Sequence, residues 1–192
     1  MKPTLQDIQN LMNNKRICLI GNSRSVLENK KDIDRYDIIC RLNRGYPQKK
    51  EKYIGSRTDI LFYATRIHER DIIRRFNPKY VICFSTSERK VTDWIRENAY
   101  EPFKEQWAWD EWNIMNNKLP KEARPTAGSI AVSFILNHIN YKSLTIYGFD
   151  FFETGTWYHN LKGAYKAHNA KAEKELILSM IKNKSNVELI VE

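Results

Sequence analysis

The sequence predicts an α/β fold in which a mostly parallel central sheet is flanked by helices. Short apolar runs alternate with longer amphipathic segments along the chain, which is the pattern of strands joined by crossover helices. The composition agrees, because 192 residues with 42% hydrophobic and 12% aromatic side chains suffice for one buried core. We therefore treat residues 1–192 as a single domain. No apolar run approaches the ~20 residues of a membrane helix.

The predicted elements begin with a helix over residues 4–14, capped by Thr4, and a buried strand over residues 17–20. Runs rich in Ile, Val, Leu and Tyr predict further strands at 37–42, 59–63, 80–84, 144–148 and 187–191. The amphipathic segments between them predict helices at 66–76, 88–98, 127–139 and about 165–182.

Residues 100–120 fit this alternation less well. They contain Trp107, Trp109 and Trp112 among many polar neighbours, which predicts a lid-like or partly helical excursion. The three indole rings are equally suited to core packing and to stacking on an acceptor sugar, and both interpretations stay open.

The net charge of +9, from 32 basic and 23 acidic side chains, indicates an anionic partner. The basic excess is concentrated at residues 41–57 and 162–174, although most charge runs are simply solvated faces. Nucleic acid, a nucleotide substrate and an anionic lipid surface are all compatible with it. Cys18, Cys40 and Cys83 lie in apolar runs without CxxC spacing, which favours buried reduced thiols. The polar N-terminal residues lack a secretory signal pattern, so we expect a cytoplasmic location.

Polar or small residues follow several predicted strands at the point where each ends. These exits are Gly21-Asn22-Ser23, Asn43 and Gly148-Phe149-Asp150, and the segment 126–129 (Thr-Ala-Gly-Ser) opens a predicted helix. In a parallel sheet, the ligand crevice lies beyond the carboxyl ends of the strands. A helix N-terminus with a Thr cap binds anions, phosphate above all. Each feature is weak alone, but together they predict one nucleotide-sized crevice.

Three segments in the first half of the chain resemble, in order and spacing, the large sialylmotif of the sialyltransferases of glycosyltransferase family 29. They are residues 20–23 (Ile-Gly-Asn-Ser), residues 34–43, which end in Arg-Leu-Asn, and residues 54–58 (Ile-Gly-Ser-Arg-Thr).

The second half resembles the remaining motifs of that family. Residues 125–149 look like the small sialylmotif, residues 157–159 (Trp-Tyr-His) the third motif, and His168 with Glu173 the very small motif. This half is also similar to the bacterial sialyltransferases of family 42. The resemblance extends from Lys15 onward, and four ordered motifs are far more specific than one.

The resemblance implies a single-domain variant of the GT-A fold that transfers sialic acid from CMP-sialic acid to a glycan acceptor with inversion, using no metal and no cofactor. Asn22 and Asn43 would contact the phosphate and the ribose or cytosine of the donor. His168 would be the general base, and His159 with Tyr158 would stabilise the departing phosphate. The other substrate-binding candidates are Ser23, Thr126, Ala127, Gly128, Ser129, Gly148 and Asp150.

The chain departs from the family at several positions. Ile17 and Asn140 occupy the places of the family's disulfide, with Cys18 displaced by one residue. We expect no membrane anchor or stem of the kind that secretory-pathway members of the family carry, which favours a bacterial or viral enzyme. Ala127 replaces a hydroxyl residue and Asn160 an aromatic one, so another CMP-linked acidic sugar such as Kdo remains an alternative donor.

Several residues have ordinary structural interpretations. Asp32-Ile33-Asp34 imitates a metal-binding Asp-x-Asp motif, but it precedes a strand where Asp is common as a cap, and we interpret it as structural. Glu173 fits an exposed charge near the positive end of a helix dipole, without direct chemistry.

A basic nucleic-acid-binding domain is the rival function. We favour the enzyme and expect no nucleic-acid partner, because uncharged polar residues cluster at strand exits instead of a basic face interleaved with aromatics. A peripheral contact with an anionic membrane and the oligomeric state both stay open.

Overall fold

The computed structural model describes residues 2–65, 67–87, 90–158 and 167–191. Within these ranges seven strands form one parallel sheet in the order β5-β4-β3-β2-β1-β6-β7. The strands are β1 (Arg16–Ile20), β2 (Ile38–Leu42), β3 (Ile60–Tyr63), β4 (Tyr80–Cys83), β5 (Ala99–Tyr100), β6 (Ser143–Tyr147) and β7 (Val187–Ile190).

Helices join and cover these strands. They are α1 (Leu5–Met12), α2 (Glu51–Ile54), α3 (Glu69–Asp71), which continues as a π-helical turn (Ile72–Phe76), α4 (Asp93–Asn98), α5 (Gln106–Asn116), α6 (Ala127–His138) and α7 (Ala170–Ile181). Short 3-10 turns occur at Arg24–Leu27, Ile33–Arg35 and Pro102–Lys104. In the ranges that the structure describes, no helix is long and apolar enough to cross a membrane.

The centre of the sheet contains a topological switch point. Strand β1 pairs with β2 on one side and with β6 on the other. Strands β2 to β5 therefore extend the sheet in one direction, and β6 and β7 extend it in the other. At such a point the two strand exits diverge and a crevice opens. Gly21 and Gly148 occupy these exits, where a Cβ on Gly21 would lie 2.2 Å from the Gly148 carbonyl oxygen. Only glycine allows this close approach.

The core confirms the interpretation of the cysteines. Cys18, Cys40 and Cys83 are buried and free, and burial raises the pKa of the Cys18 thiol to about 12. Core side chains on one face of the sheet pack side by side, as in the stacked rings of Phe62 and Phe84, whose centroids are 5.3 Å apart.

The predicted strands agree with the structure, and the main differences concern helix starts. Thr92 caps α4 by accepting a hydrogen bond from Ile95 N, so this helix begins later than the predicted 88. Asn169 caps α7 in the same way through Ala172 N, so α7 begins at Ala170 rather than about residue 165. Strand β5 was missed, because its two residues form no apolar run of their own.

Residues 100–120 are the partly helical excursion that the sequence predicted. Helix α5 packs on α6, where the rings of Trp107 and His138 have centroids 4.0 Å apart. Trp109 donates from its indole nitrogen to Phe103 O at 2.9 Å. These contacts favour core packing for Trp107 and Trp109. His138 also lies 2.6 Å from a Glu111 carboxylate oxygen, which explains it as a structural residue.

Hydrogen bonds join the two segments in which the resemblance places a disulfide. Asn14 N donates to Asn140 O at 2.7 Å, and Asn140 Nδ2 donates to Asn13 Oδ1 at 2.9 Å. The turn before β1 and the turn before β6 are therefore held together without a covalent link.

Candidate active site

A cleft of about 410 Å³ opens at the carboxyl edge of β1, β2 and β6. It brings together almost all of the site residues predicted from the sequence, although they come from distant parts of the chain. Those lining it are Asn22, Ser23, Asn43, Thr126, Ala127, Gly128, Gly148, Asp150, Tyr158 and His168. Ser129 is fully buried beneath the cleft. His159 lies outside the described residues.

Asn22, at the exit of β1, lines the cleft and has a buried amide oxygen. Its Nδ2 donates to Leu42 O at 3.0 Å and to the Tyr158 hydroxyl at 3.2 Å, which fixes the orientation of the amide. Its Oδ1 is buried and accepts no hydrogen bond from the described residues. Gly45 makes room for it, because a Cβ there would lie 2.0 Å from Oδ1. A buried acceptor of this kind needs a donor, and a ligand can supply one.

Asn43, at the exit of β2, uses its amide in the opposite way. Its backbone is left-handed with φ 50, and its Oδ1 accepts from Ala64 N at 2.9 Å and from the Thr65 hydroxyl at 3.4 Å. The remaining hydrogen-bonding group of the side chain is its NH₂ donor. Asn43 therefore connects the exits of β2 and β3 while offering a donor to the cleft.

The N-terminus of α6 forms the facing wall. Thr126 caps it, since its hydroxyl oxygen accepts from Ser129 N at 3.2 Å. The N–H groups of Ala127 and Gly128 lie in the first turn of α6, where no helical carbonyl four residues earlier can accept from them. Gly128 is required here, because a Cβ would lie 2.8 Å from the Phe149 ring. The cap and the two N–H groups make an anion-binding end.

The structure corrects the interpretation of Glu173 as an exposed helix charge, because its side chain is only 2% exposed. Its carboxylate accepts from Thr126 N at 2.8 Å and from the Thr126 hydroxyl at 3.1 Å. Burial raises the pKa of Glu173, while hydrogen bonds from Thr126 and Ser129 oppose the shift. The buried carboxylate ties α7 to the cap of α6. Sequence spacing could not predict this contact, because the two residues are far apart in the chain.

His168 lies just before α7 and faces the same cleft. Its Nδ1 is 3.0 Å from Arg124 O, and since a carbonyl only accepts, Nδ1 carries the proton in this contact. The neutral imidazole then has its lone pair on Nε2, the arrangement that a general base requires. Arg124 N also donates to Ala167 O at 2.8 Å, which fixes the backbone beside His168.

Asp150 and Ser23, both predicted to bind substrate, are engaged within the protein. The Asp150 carboxylate accepts from Phe152 N at 3.1 Å, from Thr154 N at 2.8 Å and from the Thr154 hydroxyl. The Ser23 hydroxyl is 2.8 Å from that of Ser25. These side chains shape the wall of the cleft, and their role in binding substrate remains a prediction.

Asp34 has the structural surroundings that the sequence predicted. Its carboxylate accepts from Ser56 N, the Ser56 hydroxyl and Arg57 N. Burial raises the pKa of Asp34, but these hydrogen bonds outweigh burial and the net shift is downward. Within the ranges that the structure describes, no three His, Cys, Asp or Glu side chains are grouped to hold a metal ion.

Arg44, Thr65 and Phe152 also line the cleft, and the motif argument did not select them. Arg44 and Thr65 directly follow the exits of β2 and β3, so the strand-exit rule contained the signal for both. Phe152 had no such signal, since an aromatic residue after a strand is most often core.

Comparison with known proteins identifies a structural likeness. No family model matches the chain, and no curated protein sequence matches it. A crystal structure of a mammalian sialyltransferase superposes with a TM-score of 0.64 at 16% identity, covering 99% of this chain and 73% of the other. A mammalian sialyltransferase in complex with Gal-beta-1-3GalNAc-ortho-nitrophenol gives the same TM-score and identity, with 99% and 74% covered. At this identity the likeness establishes the fold, which is the single-domain α/β fold predicted from the sequence.

Proposed function

We propose that this protein is a glycosyltransferase that transfers sialic acid from CMP-sialic acid to a hydroxyl group of a glycan acceptor. The observation that carries the proposal is the pairing, in one cleft, of an open helix N-terminus with an imidazole whose Nε2 is available as a base. In a transferase with a phosphate leaving group, the helix N-terminus can hold the phosphate and the imidazole can deprotonate the acceptor. The shared fold with sialyltransferases, one of them bound to a galactose-containing disaccharide analogue, supports this assignment.

The groups in the cleft suggest how the donor binds. A phosphate has only acceptor oxygens at its anionic end, so it suits the N–H groups of Ala127 and Gly128. Asn22 Oδ1, which has no donor among the described residues, instead suits a ligand donor, either the amino group of cytosine or a ribose hydroxyl. The NH₂ group of Asn43 suits a ribose or phosphate oxygen. This arrangement extends the nucleotide from the exits of β1 and β2 to the start of α6.

The proposed reaction is a single displacement. His168 Nε2 takes the proton of the acceptor hydroxyl as its oxygen attacks the anomeric carbon, and CMP leaves from the opposite face with inversion. Donors to the leaving phosphate stabilise its developing charge, so no metal is required. The α6 N-terminus supplies such donors, and we assign Tyr158 and His159 to the same task.

Nucleotide binding tests the proposal directly. Binding to the native state raises the melting temperature, so CMP should stabilise the protein while AMP, GDP and UDP at the same concentration should not. UMP is the sharpest control, because it carries a carbonyl where CMP carries the amino group. An equal response to all of them, or none to CMP, would exclude a CMP-sugar transferase.

Transfer itself separates the two candidate sugars. The protein is incubated with CMP-sialic acid or CMP-Kdo and a galactose-terminated acceptor, and the product is identified by mass. Sialylated product is expected. A product formed only from CMP-Kdo would replace the sugar in this proposal and keep the rest.

A further inference from the structure

We propose that Phe152 is a positioning residue for His168, an inference that rests on the proposed role of His168 as the base. The two rings are nearly parallel, with an interplanar angle of 7° and centroids 6.2 Å apart. Both side chains line the cleft. Phe152 does not need to touch the reacting atoms, because it acts through the imidazole.

The backbone places this ring at a cost. Phe151 and Phe152 have φ 54 and 69, a left-handed conformation that side chains with a Cβ adopt unfavourably. Gly or Asn would be the ordinary choice for such a turn. Strained backbone of this kind persists where the surroundings impose it, and it clusters at functional sites.

Asp150 is the group that imposes this conformation. Its buried carboxylate accepts from Phe152 N and from Thr154 N, which closes the turn around the two phenylalanines. Ser25 N donates to the Thr154 hydroxyl at 3.1 Å, so the turn is also anchored beside the exit of β1. The position of the Phe152 ring is thus determined by the switch point of the sheet.

The imidazole needs this second constraint. The hydrogen bond from Nδ1 to Arg124 O selects the tautomer, but the ring can still swing about that contact because the outer torsion of His is broad. A parallel aromatic face restricts the swing and so restricts the direction of the Nε2 lone pair. Restricting the imidazole in this way affects the rate because a general base must be aligned with the proton that it removes.

Phe151 shows that the two aromatic residues have different tasks. Its side chain is buried, and the Lys174 ammonium lies 5.7 Å from its ring centroid. Phe151 packs the turn against α7, whereas Phe152 is the ring that meets His168.

The experiment compares Phe152→Gly, Phe152→Leu and Phe152→Tyr, each in the wild-type chain and in the His168→Ala chain. Gly accepts φ 69 without strain, so it removes the ring while leaving the melting temperature near that of wild type. We expect Phe152→Gly and Phe152→Leu to lower kcat roughly 10- to 100-fold with little change in KM, and Phe152→Tyr to restore most of it. In the His168→Ala chain the same substitutions should have no further effect, because their only route to the reaction has been removed.

Two results would overturn the inference. One is a kcat of Phe152→Gly equal to that of wild type, and the other is the same fold loss in both backgrounds, which would make Phe152 a merely structural residue. Failure of the proposed base has a different signature, since His168→Ala alone would then transfer at the wild-type rate.

Discussion

The two walls of the cleft treat their polar side chains differently. In the wall formed by the exits of β1 and β2 (the strand wall), Asn22 and Asn43 each use one half of the amide within the protein. The other half, Asn22 Oδ1 or the Asn43 NH₂ group, has no hydrogen-bond partner among the residues that the structure describes. In the wall formed by the N-terminus of α6 and by Glu173 (the helix wall), Thr126, Ser129 and Glu173 are hydrogen-bonded mainly to one another. The groups left for a ligand there are the backbone N–H groups in the first turn of α6. If the proposed nucleotide binds here, side chains would contact it on one wall and backbone groups on the other, so equivalent substitutions should have different consequences.

The largest expected effect concerns His168, which lies beside the helix wall and which we propose acts on the acceptor. His168→Ala should lower transfer by roughly 10² to 10⁴ while CMP affinity stays nearly unchanged, because a base contacts the acceptor hydroxyl. Steady-state kinetics and CMP titration measure the two quantities. His68→Ala is the matched control, since His68 is an exposed cap at the start of α3. Full activity of His168→Ala with saturating acceptor would move the base elsewhere, with His159 the next candidate.

The strand wall is tested by substituting each of its two amides. Asn43→Asp keeps the acceptor for Ala64 N but loses the NH₂ donor, so CMP affinity should fall by about 1–3 kcal/mol with little loss of stability. Asn22→Ala should weaken CMP binding by a similar amount, about 1–3 kcal/mol. Calorimetric titration with CMP gives both values. Unaltered CMP affinity in both variants would place the nucleotide outside this wall.

A substitution in the helix wall should change the free energy of unfolding and its dependence on pH. The pKa of Glu173 is raised from 4.5 by burial, so the native state holds this proton more tightly than the unfolded chain. The resulting stabilisation is complete below pH 4.5 and is lost as pH rises through the raised pKa. Wild type should therefore lose stability relative to Glu173→Gln across this window, as measured by urea unfolding. Glu175→Gln, at an exposed position of α7, should follow wild type. Parallel pH profiles for wild type and Glu173→Gln would contradict the assignment.

The smallest expected effect is that of metal removal, which should leave the function of both walls unchanged. Donors from the protein stabilise the leaving phosphate in the proposed reaction, so EDTA should leave the transfer rate unchanged. Asp34→Ala should likewise affect only local stability, because Asp34 holds the backbone of Ser56 and Arg57. Activity that EDTA abolishes and manganese or magnesium restores would contradict the metal-independent reaction.

The sequence by itself determined the sheet and most of the residues that line the cleft. Buried strands are local apolar runs, and the rule that parallel strands end at one edge brought Asn22, Asn43 and Gly148 together without coordinates. The cap of α6 at Thr126 was equally local, since capping depends on residues three positions apart.

Only the tertiary structure decided how each polar group is used. Leu42 O turns the Asn22 amide so that its oxygen is unused, whereas Ala64 N turns that of Asn43 the other way. Glu173 is buried because its partner is Thr126, 47 residues earlier in the chain. Phe152 meets His168 because a carboxylate and a strand exit hold its backbone left-handed. Each outcome depends on a partner distant in sequence or on a backbone angle, and neither is encoded in residue identity or spacing.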